Sequence, residues 1–199
     1  MRFPRVDMNV FQAILARRSV RGYKPDAVDS TLIRCLLEAA VRAPSAMHQE
    51  PWAFVIVQDK KLLRTLSDIA KPLVLAEIRQ SASESTRHHL DIFGQDDFNV
   101  FYDAGTLIII CGHKDSPFFE ADCWLAAENL MLSACAMGLG SCVIGSALPA
   151  FKTDDVKSRL RIPPEFSAVA PIILGYASNE VAPTSRKSPV VLANIAATH

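Results

Sequence analysis

The 199-residue sequence has no apolar run that could span a bilayer, no Cys-x-x-Cys pair, no P-loop and no Gly-x-Gly-x-x-Gly turn. Its longest apolar stretches, residues 106–111 and the region around 130–137, fall short of the ~20 residues a spanning helix needs. Charge of one sign is also missing. The 21 lysines and arginines meet 21 aspartates and glutamates, so no net field draws the chain to nucleic acid or to an anionic membrane. With 50% hydrophobic and 21% charged residues, the composition excludes disorder. Five cysteines, Cys35, Cys111, Cys123, Cys135 and Cys142, are odd in number and form no tight ligand pair, which argues against a disulfide framework and for a reducing compartment. The N-terminal residues lack the apolar stretch of a signal peptide, so a cytoplasmic location is expected. Without a P-loop or a dinucleotide fingerprint, any bound phosphate must be held by side chains.

What is present is an interleaving of helical and strand patterns. Residues 9–17 place Val10, Ala13, Ile14 and Arg17 at helical spacing. Asp29 and Ser30 cap a second helix, with Leu32, Ile33, Leu36, Leu37 and Ala40 on its apolar side. That helix ends before Pro44, because a residue preceding proline avoids the helical region. Residues 52–57 read as a buried strand and Asp59 onward as a helix to about Ile69. Residues 71–101 are polar and irregular in pattern, which predicts a mobile excursion, in part helical, outside the core. Residues 106–111 form an unalternated β-branched run of the kind buried on both faces. Residues 122–137 make a helix that is apolar or small on nearly every side, so it must be enclosed at a domain centre or in a subunit interface. The segment 138–145 leads into a third strand, 154–160 form a short helix, and 168–176 a fourth strand, where Pro171 suggests an edge or a strand end. The class is α/β or α+β, in a single domain over 1–199.

Three segments could carry chemistry. Arg17-Arg-Ser-Val-Arg21 offers three guanidinium groups and a hydroxyl, and the planar fork of arginine matches phosphate oxygens. The same cations could simply complement a helix C-terminus. The loop 43–52, held between two prolines, offers Ser45, His48 and Gln49 to read a ring edge, or is a turn that anchors Trp52. In the glycine segment, Gly138 suits a helix C-cap, which leaves Gly140 and Gly145 for a close approach or for turns.

The ordered set of motifs resembles the nitroreductase family of flavoproteins. It comprises Arg-Arg-Ser-Val-Arg at 17–21, Ala-Pro-Ser-Ala-Met-His-Gln-Glu-Pro-Trp at 43–52, Phe-Tyr-Asp-Ala at 101–104, the stretch 125–145, and Pro-Ile-Ile-Leu-Gly at 171–175. The resemblance is weakest over 71–98. It implies an α+β, three-layer fold with a central mixed or antiparallel sheet flanked by helices, as an interlocked homodimer with FMN at the subunit interface. It implies transfer of hydride from NADH or NADPH to flavin N5 and then to a small electron-poor acceptor such as a nitroaromatic or quinone, in ping-pong order and with no catalytic side chain. By resemblance, Arg17, Arg18, Ser19 and Arg21 grip the FMN phosphate and the polar edge of the flavin. Pro44, Ser45, Ala46, Met47 and His48 form the loop that reaches the other subunit's flavin. Val143, Ile144, Gly145 and Ser146 lie along the isoalloxazine, and Arg186 and Lys187 sit at the phosphate. Residues 71–101 then lid the cavity, with Leu73, Leu75 and Phe93 suited to an apolar substrate, and Asn99 is a further candidate ligand.

Two positions depart from the family pattern. His48 stands where many members have asparagine, so the ring-edge contact differs here. Glu50 stands where many have glutamine. A non-catalytic flavin or small-ligand sensor is the alternative from another class. A metal protein using Cys111, His113 and Cys123 lacks zinc spacing, and no metal ligand set is expected. Nothing in the spacing supports a Cys142–His48 nucleophile pair.

Overall fold

The computed structural model describes residues 7–80, 93–95 and 97–195. Its sheet is antiparallel throughout, with strands in the order β1 (Trp52–Val57), β2 (Thr106–His113), β4 (Phe166–Gly175) and β3 (Gly140–Val143). The β-branched run expected at 106–111 is the middle of β2, and Ile108, Ile109 and Ile110 are completely buried. Successive β2 side chains alternate between the two faces of the sheet. Leu107 and Ile109 join Leu63, Leu66, Phe151 and Val156 in one cluster, while Ile108 and Ile110 join Ile33, Leu36, Ala126 and Leu130 in the other. The first cluster is roofed by α3 (Lys60–Gln80), α5 (Leu148–Phe151) and α6 (Asp154–Leu160), and the second by α2 (Ser30–Ala40) and α4 (Phe119–Ala136). The result is the α+β three-layer arrangement expected from the sequence. Each fully buried Leu or Ile contributes about 2 kcal/mol of transfer free energy, so β2 is the centre of the stability as well as of the sheet.

The helix boundaries follow local chemistry. Asn9 and Gln12 form a reciprocal capping box at the start of α1 (Val10–Ala16). The Asp29 carboxylate accepts the Thr31 amide at 2.7 Å, and Asp59 accepts the Lys61 amide at 2.8 Å. Only Ala13 of α1 is buried; Val10, Phe11, Ile14 and Leu15 face outward. The apolar character of α4 is likewise incompletely enclosed, because Trp124 and Leu125 remain exposed.

Two expectations are corrected. Helix α3 does not end near Ile69 but runs to Gln80, through Pro72. An interior proline costs about 3 kcal/mol, yet Leu66, Ala70, Val74 and Ile78 form an unbroken i, i+4 stripe that is buried on the core side, and Pro72 points to solvent. The stripe outweighs the proline. Residues 71–101 are therefore not wholly outside the core: Val74, Ile78, Val100 and Phe101 are buried, while 81–92 and residue 96 lie outside the described residues. Second, Pro171 is neither at an edge nor at a strand end, since β4 lies between β2 and β3. In an antiparallel ladder a residue's N–H and C=O point to the same neighbour. The Pro171 carbonyl accepts the Ile144 amide at 2.8 Å, just past the end of β3, so the missing donor also falls there. The Ile144 carbonyl instead accepts the Ala147 amide at 3.1 Å and opens the 3₁₀ turn Gly145–Ala147.

Among the described residues no helix is long and apolar enough to cross a membrane. At the end of α4 the Leu139 amide donates to the Ala134 carbonyl at 2.8 Å and the Gly138 amide to the Cys135 carbonyl at 3.0 Å, with Gly138 at φ +77°. This is a Schellman cap that requires a left-handed residue. Gly138→Ala, which meets no atom within 4 Å and so tests conformation alone, is expected to cost about 1 kcal/mol and to lower the thermal midpoint by roughly 2–4 °C in a melting experiment.

Candidate ligand-binding site

After α1 the chain runs along the outer edge of β3. Ser19 bridges Ser141 in parallel, and the Val20 amide donates to the Ser141 carbonyl at 3.0 Å. Gly140 permits this approach: a Cβ there would lie 2.8 Å from a Val20 methyl. Further along, the Lys24 amide donates to the Tyr176 carbonyl at 2.8 Å and the Ser178 amide to the Gly22 carbonyl at 3.0 Å. Tyr23 covers the bare backbone of Gly175, and its hydroxyl donates to the Val20 carbonyl at 2.7 Å. The segment is thus held at both ends. Arg17, Arg18 and Val20 line one cavity together, and Arg21 lines another.

The docking of this segment divides the basic cluster. Arg18 Nη1 donates to the carbonyls of Leu15 and Arg17 at 2.6 and 2.8 Å, so this cation serves the last turn of α1. Its Nε is buried and finds no acceptor among the described residues. Arg17 Nε lies 3.8 Å from Glu128 of α4, a partly exposed pair worth little by itself. Arg17 and Arg18 line a cavity of about 380 Å³ with Cys135, Ser141 and Pro183. Arg21 lines a second, of about 400 Å³, with Tyr102 and residues 143–146. The remaining wall of that second cavity is Val74, Glu77 and Ile78 from α3 together with Phe93. Of the apolar residues expected to face a substrate, Phe93 lines this cavity, whereas Leu73 packs on the core and Leu75 does not line the cavity.

Gly140 and Gly145 play different parts. Gly145 has no positive φ, and a Cβ there would meet nothing within 4 Å. Neither strain nor crowding in the chain accounts for the glycine. What its bare backbone leaves is room for a flat group to approach the cavity wall. Beneath the segment, burial pushes the Cys142 thiol up, against the opposing pull of Arg21, Ser19 and Arg17. Burial also pushes Cys111 up to about 11 and Cys123 up to about 12. These thiols stay protonated at neutral pH and pack as small hydrophobes. Cys111 and Cys123 belong to the clusters on opposite faces of the sheet, and among the described residues no group of three His, Cys, Asp or Glu side chains could hold a metal.

The loop with Pro44 to His48 lies elsewhere. The Ala46 amide donates to both carboxylate oxygens of Asp122, at 3.1 and 3.3 Å, and the Glu50 amide to Ser45 Oγ at 3.0 Å. Met47, His48 and Glu50 have φ of +53°, +53° and +45°, a region that non-glycine residues rarely adopt. Such strain persists where the surroundings over-determine it, and the buried Asp122 in the first turn of α4 supplies the anchor. The loop thereby displays Met47, 68% exposed, and the His48 side chain, 91% exposed and 3.7 Å from Glu50. Cys135, beside Arg17 and Arg18, is in the last turn of α4, and the helical rise from Asp122 to that point is about 20 Å. A single chain does not bring this loop to the segment 17–21, nor His48 to Cys142. Arg186 and Lys187 are exposed in an irregular tail. Arg186 donates to Thr184 Oγ1 at 3.0 Å, and the tail leaves from the Arg17–Arg18 cavity at Pro183. Asn99 is buried and hydrogen-bonded within its own turn. Asp122, Tyr102, Val74 and Ile78 were not singled out by sequence reasoning. The one signal for Asp122 was an acid at the start of an otherwise apolar helix.

The sequence model of the Nitroreductase family matches residues 14–176. The NADH dehydrogenase of Thermus thermophilus is 28% identical, the alignment covering 87% of this chain and 89% of that protein. A protein of Methanothermobacter thermautotrophicus named for NADH dehydrogenase and NAD(P)H nitroreductase is 27% identical, over 85% of this chain and 78% of its own length. Among solved structures, the oxidized iodotyrosine deiodinase bound to FMN and 3-iodo-L-tyrosine superposes with a TM-score of 0.81 at 23% identity, covering 94% of this chain and all of that one. The FMN-bound nitroreductase of Bacteroides fragilis gives 0.75 at 24% identity, over 95% and 99% of the two chains. These two likenesses carry the fold.

Replacing Asp122 with alanine removes the anchor of the strained loop while leaving both core clusters in place. Amide hydrogen exchange at residues 46–49 is expected to speed up at least tenfold, with β2 unchanged, as read by mass spectrometry.

Proposed function

This chain belongs to the nitroreductase family, and we propose that it is an FMN-dependent oxidoreductase taking hydride from NADH or NADPH and reducing a small electron-poor acceptor, such as a nitroaromatic or a quinone, in ping-pong order. The observation that carries this reading is the placing of Arg21 and the open backbone of Gly145 on one cavity of about 400 Å³. A side chain at 145 would fill the space a flat ring needs, and a fixed cation faces the same space. The FMN seen in the Bacteroides fragilis nitroreductase and in the deiodinase, and the donors in the relatives' names, support the cofactor and the reductant.

Bound FMN supplies the two-electron chemistry, so no protein nucleophile is required. The chain's own residues do the rest. Arg17, beside Ser19 in the chain, would hold the phosphate end, because planar guanidinium groups suit phosphate oxygens. Arg18 Nε, buried without an acceptor among the described residues, suits an anion in the neighbouring cavity. Arg21 would hold positive charge against the polar edge of the bound ring and so favour its negatively charged reduced form by electrostatics. Val143, Ile144, Gly145 and Ser146 provide the backbone wall. Val74, Ile78 and Phe93 keep water from the acceptor's side.

A second copy of the chain completes the site. The loop 44–48 is built and strained, yet it points away from its own chain's cavities; a partner would bring it to the other subunit's flavin. The exposed Trp124 and Leu125 of α4 and the exposed Phe11 and Leu15 of α1 are the apolar surface such a partner would cover. The tail carrying Arg186 and Lys187, with Val190, Val191 and Leu192 exposed, then lies across the partner.

Freshly purified protein is expected to be yellow, with a flavin band that bleaches on anaerobic addition of NADH or NADPH, and to elute as a dimer of the 21.8 kDa chain. Colourless protein that also fails to bind added FMN overturns the reading. Arg21→Ala is expected to weaken FMN binding at least tenfold by fluorescence titration, with the melting temperature unchanged, because Arg21 is exposed.

A further inference from the structure

Arg21 has no carboxylate partner among the described residues. What lies against it is an aromatic ring: its guanidinium carbon is 5.8 Å from the centre of the Tyr102 ring, within reach of a cation–π contact. Both side chains line the cavity that Gly145 leaves open. Burial raises the Tyr102 phenol above its ordinary range, against the pull of Arg21. The phenol is therefore neutral, and Arg21 keeps its full charge for the cavity.

The backbone under Tyr102 is unusual. Tyr102 and Asp103 are consecutive left-handed residues, with φ of +52° and +53°, and neither is glycine. They are held there from several directions. Asn99 Oδ1 accepts the Phe101 amide at 2.9 Å, and Asn99 Nδ2 donates to Asp103 Oδ1 at 2.8 Å. The Val100 amide donates to Ser67 Oγ of α3 at 3.0 Å, and the Tyr102 amide to the Asn99 carbonyl at 2.8 Å. Phe101 is completely buried and stacks on Phe151, and Phe98 meets the Tyr102 ring edge-on at 5.5 Å. A strained turn fixed this thoroughly calls for a purpose at the residue it presents, and that residue is Tyr102. Asn99 is the lock of the turn and not a ligand.

We propose that Tyr102 is a positioning residue for Arg21: its ring, presented by the locked 99–103 turn, holds the guanidinium toward the cavity so that the charge meets the edge of the flavin that becomes negative on reduction. This rests on the FMN reading above. A ring that merely fills space would stabilise the fold without distinguishing oxidised from reduced cofactor. A ring that holds Arg21 affects the reduced form more, because the cation acts on charge that develops only there.

The test uses full-length protein with FMN, and three readouts: the FMN dissociation constant by fluorescence quenching, the midpoint potential by dye equilibration, and the melting temperature. Tyr102→Asn removes the ring but suits a left-handed backbone, so the turn is retained. Tyr102→Phe keeps the ring and is the conservative control. Tyr102→Asn is expected to weaken FMN binding five- to tenfold and to lower the potential, by about 30 mV if the preference for the reduced form falls tenfold. Tyr102→Phe should stay within twofold of the parent on both. In an Arg21→Ala background, Tyr102→Asn should change neither quantity further, since the two residues act as one unit. Equal effects of Tyr102→Asn in the two backgrounds, or an unchanged potential beside a lowered melting temperature, overturn the positioning role and leave the FMN site standing. Parental FMN affinity in Arg21→Ala overturns the site reading and this inference together.

Discussion

The close passage of residues 17–23 against β3 and the end of β4 is the contact on which the rest of the site depends. Gly140 has no Cβ, so Val20 can lie on its backbone and donate its amide to Ser141. Gly175 does the same for Tyr23. Two bare positions on adjoining strands thus let a basic, irregular segment dock along the sheet edge through bridges at Ser19 and Tyr23. Once it is docked, Arg17 and Arg18 line one cavity and Arg21 another, while Arg18 Nη1 turns back to the last turn of α1.

The sheet serves that seam from behind. β2 pairs with β4 along its whole length, with one register shift between Ile110 and Cys111, and β4 in turn places β3. Pro171 then breaks the ladder at one point only, where its missing donor leaves the Ile144 carbonyl to start the turn at Gly145. The bend that exposes the Gly145 backbone to the cavity is thus written into the strand beside it. Helix α4 has a complementary role. Its last turn, closed by the Gly138 cap, stands beside the arginine cavity, and its first turn holds the loop 44–48 through Asp122. The helix keeps these two groups apart within one chain.

Much of the secondary structure was legible because its signals are local. The caps at Asp29 and Asp59, the β-branched run of β2, and Gly138 at a helix end each depend on residues within a few positions. The errors arose where a local rule met a tertiary one. The helix read from Asp59 to about Ile69 continues to Gln80, because the stripe through Leu66, Ala70, Val74 and Ile78 gains more from burial than Pro72 loses. Pro171 reads as an edge residue, but its neighbour ends just where the amide is missing. The motif resemblance proposes the arginine segment and the glycine segment as binding elements. It could not say that Arg18 Nη1 would turn to the carbonyls of Leu15 and Arg17, because that depends on how the segment docks after α1.

By itself, the sequence determined the class of fold, the family, and the stretches of chain that could meet a cofactor. These depend on apolar periodicity, on turn chemistry and on motif order, all of which are written along one dimension. Only the tertiary structure decided which of the clustered cations share a cavity. It also decided that Asp122 anchors the strained loop and that Tyr102 stands against Arg21. Each of these joins residues far apart in the chain, and such a contact has no signal in local pattern. It exists only once a buried sheet has brought the segments within hydrogen-bonding or van der Waals reach.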